Sequence, residues 1–196
     1  MISKYGIYGV IRIFLSVIYT RTFLRPARLI RLPVDIRNKK YIGIGKNFTA
    51  GIGCRIEAYP VNNTTVIHMG ENIQMNDYVH ITAVEGVSIG NNVLIASKVY
   101  ISDCSHGKYA DGVFSDPETA PADRPLYSKK VVIEDNVWIG EFVSVLPGVT
   151  IGRGCIIGTM SVVNKSIPPF CIAVGAPAKV VKKYNFATRE WESVKE

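Results

Sequence analysis

The chain has 196 residues, 47% of them apolar and 20% charged, which excludes a disordered or fibrous protein and sets one domain with room for an appendage. Its net charge of +7 is uneven: Lys4, Arg12, Arg21, Arg25, Arg28 and Arg31 all precede the first acid, Asp35. No recognition motif or aromatic stacking pattern accompanies that run, so nucleic acid is not an expected partner. Cys54, Cys104, Cys155 and Cys171 have neither CxxC nor Cys/His metal spacing. No metal is therefore expected, and thiols used as small core residues point to a reducing, cytoplasmic compartment.

Residues 2–24 place Ile7, Ile11, Phe14 and Ile18 at helical spacing, which predicts an amphipathic helix in an N-terminal segment 1–34. Arg12 would sit mid-bilayer in a short apolar run, against a transmembrane span, and no small-residue cleavage site follows. Two expectations remain for residues 1–31. The helix lies on an anionic membrane surface, at the inner face of the membrane, or it packs on the domain or between subunits.

A different period begins near residue 35. The stretch 133–168 divides into IEDNVW, IGEFVS, VLPGVT, IGRGCI, IGTMSV and VNKSIP. The first place is always Ile or Val, and the fifth is compact. The frame also runs upstream through IGKNFT, MGENIQ, MNDYVH, IGNNVL and IASKVY. A six-residue period suits neither a helix nor one flat strand. It fits a short strand plus a tight corner, three of which close a triangular coil of about eighteen residues. The expected fold is all-β: a parallel β-helix over 35–169, with a tail at 170–196 that ends in a short helix.

One break interrupts the coils. Between Gly107 and Lys130 a long excursion carries Asp111, Asp116, Arg124 and three prolines. Loops of that length in compact repeats are commonly functional. Its acids and amides, with Asp111 and Arg124 as candidate contacts, suit a polar acceptor such as a sugar. His106 stands at its root, where a histidine that ends a coil, starts the excursion and precedes a glycine is a candidate for catalysis, and Asp103 on its own reads as a corner acid capping backbone amides. Further on, Trp138 falls at an outward place, where a large aromatic implies a partner surface. Gly140 leaves room against the coil wall.

The phrases DNVWIG, PGVTIG and IPPFCIAVGAPAKVVKKY, with D-x-x-H at Asp103–His106, resemble the hexapeptide-repeat acyltransferases. Among these, the chain is similar to the sugar O-acetyltransferases of the maltose and galactoside type and their surface-polysaccharide relatives, over roughly Lys40 to Tyr184. The resemblance implies a left-handed coil and a homotrimer with shared sites. It implies acetyl-CoA as acyl donor and direct transfer to a saccharide hydroxyl, as in O-antigen, capsule or exopolysaccharide synthesis. Residue by residue, it implies His106 as base, Asp103 as its acid and the Glu141 amide as oxyanion donor, although relatives often carry a smaller residue there. It places Asn76 on the acceptor, and Trp138, Gly140, Gly158, Thr159, Asn164, Lys165, Lys179 and Lys182 along the coenzyme. Two alternatives stay open: N-acetylation of an amino-sugar nucleotide, and a non-catalytic β-helix used in assembly. A metal enzyme on this scaffold would need converging histidines, which His68, His80 and His106 do not provide by spacing.

Overall fold

The computed structural model describes residues 2–110 and 112–194. One helical segment, α1 (Ile2–Phe23), kinked at Gly6 (φ 64°, ψ 172°), precedes a prism whose three walls are parallel sheets. Wall 1 begins with Leu29–Ile30 and Thr49–Ala50 and continues through Trp138–Ile139, Ile156–Ile157 and Cys171–Val174. Wall 2 runs from Val34–Arg37 through Tyr100–Ser102 to Val162–Val163, and wall 3 from Ile42–Ile44 to Thr150–Ile151. The chain visits walls 1, 2 and 3 in turn. The coils thus begin at Leu29, inside the segment expected to be helical.

The register shows why the hexad repeats. Ile95 pairs with Ile139 and Ile139 with Ile157 on wall 1; Ile81, Ile101, Val145 and Val163 align on wall 2. These side chains are fully buried and stack down the prism axis. Each contributes about 1.5–3 kcal/mol relative to exposure. The corners use a second code. Between walls 3 and 1, Asn47, Asn72, Asn92 and Asn136 all adopt φ between 55 and 59°, a region asparagine tolerates. Their amides form a ladder from coil to coil, at 3.0, 3.0 and 3.3 Å.

Both prism ends leave edge strands that must be covered. At the first coil, Ile30 and Leu32 donate their N–H groups to Thr20 Oγ1 (2.9 Å) and Ser16 Oγ (3.0 Å) of α1, so the helix closes that end with hydroxyls. At the far end the expected C-terminal helix does not form. Lys179–Asn185 adds antiparallel to Cys171–Val174, and Glu190–Ser193 adds to it in turn. Satisfying the open backbone edge outweighs the weak helical pattern. Tyr184 packs edge-on to Phe186 and Trp191, with ring centroids 5.0 and 5.3 Å apart, and holds the ribbon together.

Candidate active site

The excursion leaves the corner between walls 2 and 3 at the fourth coil. Cys104–His106 pairs antiparallel with Leu126–Ser128, His106 opposite Leu126, so the root is a two-stranded ribbon. Asp103 is fully buried just before it. Its carboxylate accepts from the amides of Val84 (2.9 Å), Glu85 (2.7 Å) and Gly86 (2.6 Å), and its carbonyl accepts from Lys129 N (2.8 Å). Asp103 therefore clamps both ends of the excursion to the coil beneath. No hydrogen bond joins it to the His106 imidazole among the described residues, which corrects the expectation of a direct acid–imidazole pair.

His106 is exposed on the ribbon. Gly107 follows with φ 94°, which a residue with a Cβ adopts only under strain, and a Cβ there would meet the Tyr109 hydroxyl at 2.5 Å. Tyr109 Oη donates to the His106 carbonyl (2.7 Å) and receives Arg124 Nη1 (2.8 Å). Arg124 also donates to the Thr119 and Pro117 carbonyls, at 2.8 and 2.9 Å. Its guanidinium thus braces the loop and, through Tyr109, the backbone of His106, where an acceptor contact was expected. Asp111 lies outside the described residues. Beside the root, a groove of about 390 Å3 opens, lined by Asn62, Thr64, Glu85, Ser128 and Lys130.

The coenzyme candidates gather elsewhere. Trp138, Ile156, Ile172 and Lys182 form one register column across wall 1, and Trp138 is half exposed. Three strand spacings of about 4.8 Å put Lys182 about 14 Å from Trp138. Lys179 begins the same terminal strand. Gly140, Glu141, Gly158 and Thr159 mark the corner between walls 1 and 2, and Asn76 lies on that edge two coils lower. Gly140 has a packing reason: a Cβ would lie 2.7 Å from Thr159 N and 2.9 Å from Ile157 O of the next coil. At Gly158 it would meet Val174 at 2.6 Å. Asn164 and Lys165 lie past Val163, on the wall 2–3 edge, two coils beyond the root of His106.

Two edges of the prism thus carry two half-sites. His106, Asn164 and Lys165 share one; Gly140, Glu141, Gly158 and Thr159 share the other. About six residues of wall 2 separate them, on the order of 15–20 Å.

A further cluster on the wall 2 face went unread in the sequence. Glu57, 3% exposed in its side chain, accepts from Arg37 and Arg55 (both 2.8 Å), Tyr59 (2.9 Å) and His80 Nε2 (2.8 Å). Burial alone would raise its carboxyl; the donors from Arg55, His80 and Tyr59 more than offset that and hold it at about 2. Arg55 and Tyr59 reach Glu57 from two residues away along the chain, whereas Arg37 and His80, 20 and 23 residues away, meet it only because coils stack. The three histidines stay apart: His68 bonds the Thr65 carbonyl on wall 3, His80 bonds Glu57 on wall 2, and His106 is on the excursion.

Residues 130–165 match the family described as bacterial transferase hexapeptide (six repeats). The chain is 47% identical over 192 residues, 97% of its own length and 96% of the relative's, to WbbJ of Escherichia coli (strain K12), named as an O-acetyl transferase of lipopolysaccharide biosynthesis. It is 38% identical over 119 residues to the galactoside O-acetyltransferase of Escherichia coli (strain K12), spanning 61% of this chain and 55% of that one. Among solved structures it is similar to AntD, an N-acyltransferase from Bacillus cereus in complex with dTDP and 3-hydroxybutyryl-CoA, at TM-score 0.67 and 22% identity over 83% of this chain and 84% of that chain. It is also similar to a galactoside acetyltransferase in complex with coenzyme A, at TM-score 0.50 and 27% identity over 83% and 72% of the two chains.

Proposed function

Because the chain belongs to the hexapeptide-repeat acetyltransferases, with a left-handed β-helix as its body, we propose that it transfers acetyl from acetyl-CoA to a hydroxyl of a saccharide in surface-polysaccharide biosynthesis. The observation that carries this reading is the placement of His106. It is exposed on the braced root ribbon of a polar excursion, two ladder positions from Ser128, which lines a groove of three valines and of amide, hydroxyl, carboxylate and ammonium groups.

An alcohol is a poor nucleophile at neutral pH and needs a base. His106 removes the hydroxyl proton as oxygen attacks the thioester carbon. The Glu141 N–H donates to the oxyanion of the tetrahedral intermediate. That intermediate collapses by breaking the C–S bond, and the His106 proton goes to the departing CoA thiolate. No acyl-enzyme is formed. Asp103 and Arg124 act at a distance, by holding the ribbon that carries His106. Trp138 and Thr159 line the pantetheine path, and Lys179 and Lys182 meet the nucleotide phosphates as point charges.

Separation of the two half-sites within one chain calls for a second copy. A homotrimer that sets the wall 2–3 edge of one protomer against the wall 1–2 edge of its partner would complete three sites. Exposed apolar groups on that second edge support this assembly: Tyr78, Phe142 and Met160 share one corner position at 54, 49 and 72% exposure, with Lys98 between the first two and its ammonium 4.7 Å from the Phe142 ring. The AntD likeness is one of fold, and N-acetylation of an amino-sugar nucleotide is the alternative reading. Thiol release from acetyl-CoA against a panel of sugar and amino-sugar acceptors tests both: release with hydroxyl acceptors supports O-acetylation, and release only with amino-sugar nucleotides overturns it. The membrane association expected of residues 1–31 draws its support from α1, away from the transfer site.

A further inference from the structure

The polar side of α1 faces the protein and its apolar side faces out. Ser16 and Thr20 are fully buried, whereas Ile7, Ile11, Phe14 and Ile18 are 71, 53, 63 and 49% exposed. At 100° per residue, the four apolar residues centre about 170° from the Ser16/Thr20 stripe. The direction of this face follows from the first coil. Leu29 and Arg31 donate their N–H groups up the prism, to Phe48 and Ala50. Ile30 and Leu32 donate the other way, to Thr20 and Ser16. The helix therefore lies under the end of the prism, and its apolar face points away along the prism axis.

Of the nearby cations, Arg21 lies about 50° from the centre of that face and Arg12 about 130° from it, over the Tyr8 ring, while Arg25 and Arg28 follow the end of the helix. Arg21, Arg25 and Arg28 are exposed, Arg12 is half-buried, and none has a carboxylate partner among the described residues. No acid occurs before Asp35. A second copy of the same face would bring like charge against like. An anionic lipid surface supplies both the apolar layer and the opposite charge. No described helix is long and apolar enough to cross a membrane.

We propose that the chain docks end-on to an anionic bilayer through the outer face of α1, with the prism standing on the membrane and the His106 excursion held above the headgroups. The root of that excursion is three strand spacings above Val34–Arg37; with the helix beneath, His106 stands about 25 Å from the surface. In the trimer proposed above, with prism axes parallel, three such faces lie in one plane and bind together. Only the height of His106 and the shared plane rest on the acetyl-transfer reading. The docking face does not, and vesicle binding is measured without turnover.

The test is flotation of the full chain with phosphatidylcholine vesicles, with and without phosphatidylglycerol. Binding to the phosphatidylglycerol vesicles is expected, weakened by salt, with little to phosphatidylcholine alone. The Ile11→Asp/Phe14→Asp variant should lose at least about tenfold in binding, and Arg21→Glu/Arg28→Glu a similar factor at low salt. Both keep Ser16 and Thr20, and unchanged circular dichroism and melting confirm an intact fold. Equal flotation of the wild-type chain and the apolar-face variant overturns the proposal. So does conversion of a larger oligomer to monomers by that variant in the absence of lipid, which assigns the face to another copy. Neutron reflectometry reads the orientation: eight spacings across wall 1 plus one helix give an end-on layer of about 45–50 Å. A layer only as thick as the prism is wide overturns the upright arrangement.

Discussion

The coils and the excursion they extrude are built from opposite materials. The coils are aliphatic stacks in which each side chain repeats its neighbour one turn away. The excursion at 104–129 has two short antiparallel ribbons, and side-chain bonds to carbonyls maintain its shape. Redundant packing provides a rigid frame, and the frame permits one irregular segment to hold a histidine in the open. Asp103 belongs to both, since its carboxylate grips the coil and its carbonyl grips the returning chain.

Substitutions that separate the two regions sharpen this contrast. In the coils, Ile139→Ala opens a cavity in a fully buried stack and should cost about 2–5 kcal/mol, read by denaturant unfolding, with turnover per folded molecule retained. On the excursion, His106→Ala should lower turnover roughly 100-fold or more, about 2.7 kcal/mol of barrier, at an unchanged melting temperature. Near wild-type transfer by this variant would remove His106 from the mechanism.

At the junction, Asp103→Ala strands three amides and should show both effects, about 2 kcal/mol of stability and a drop in turnover. An effect on turnover alone would restore the direct pairing with His106. The smallest effect belongs to Glu57 on the wall 2 face. A carboxyl held near 2 stabilises the fold above its unfolded value of about 4.5 and loses that contribution as pH falls towards 2. Acid unfolding of wild type should therefore steepen over that interval, and Glu57→Gln should flatten it, by on the order of 1 kcal/mol given the exposure of its partners. An identical acid profile in the variant would make the cluster incidental.

Much of the coil was legible. The first-place aliphatics from Ile133 to Val163 are buried where the period put them. The asparagine corners were legible in principle: Asn47, Asn72, Asn92 and Asn136 share the fourth place of their hexads. The tail misled, because a short, mostly polar stretch carries little helical signal of its own, and the open sheet edge beside it takes it as strands. At the candidate site, the residue types were readable and their partners were not. Arg124 was a cation in a loop until its three donors were traced to Thr119, Pro117 and Tyr109.

The sequence by itself determined the winding, since a period of six leaves an aliphatic facing inward once per wall and nothing else satisfies that pattern. It also marked His106, because a broken period is visible without coordinates. Only the tertiary structure decided which groups meet. Stacking brings Glu57 to His80 and Asp103 to Val84, pairs 23 and 19 residues apart: the repeat sets that one-coil separation, and the insertions at each corner decide which side chains face each other across it. It also turned α1 with its hydroxyls inward, because unpaired N–H groups on an edge strand demand acceptors more strongly than a few aliphatic side chains demand burial.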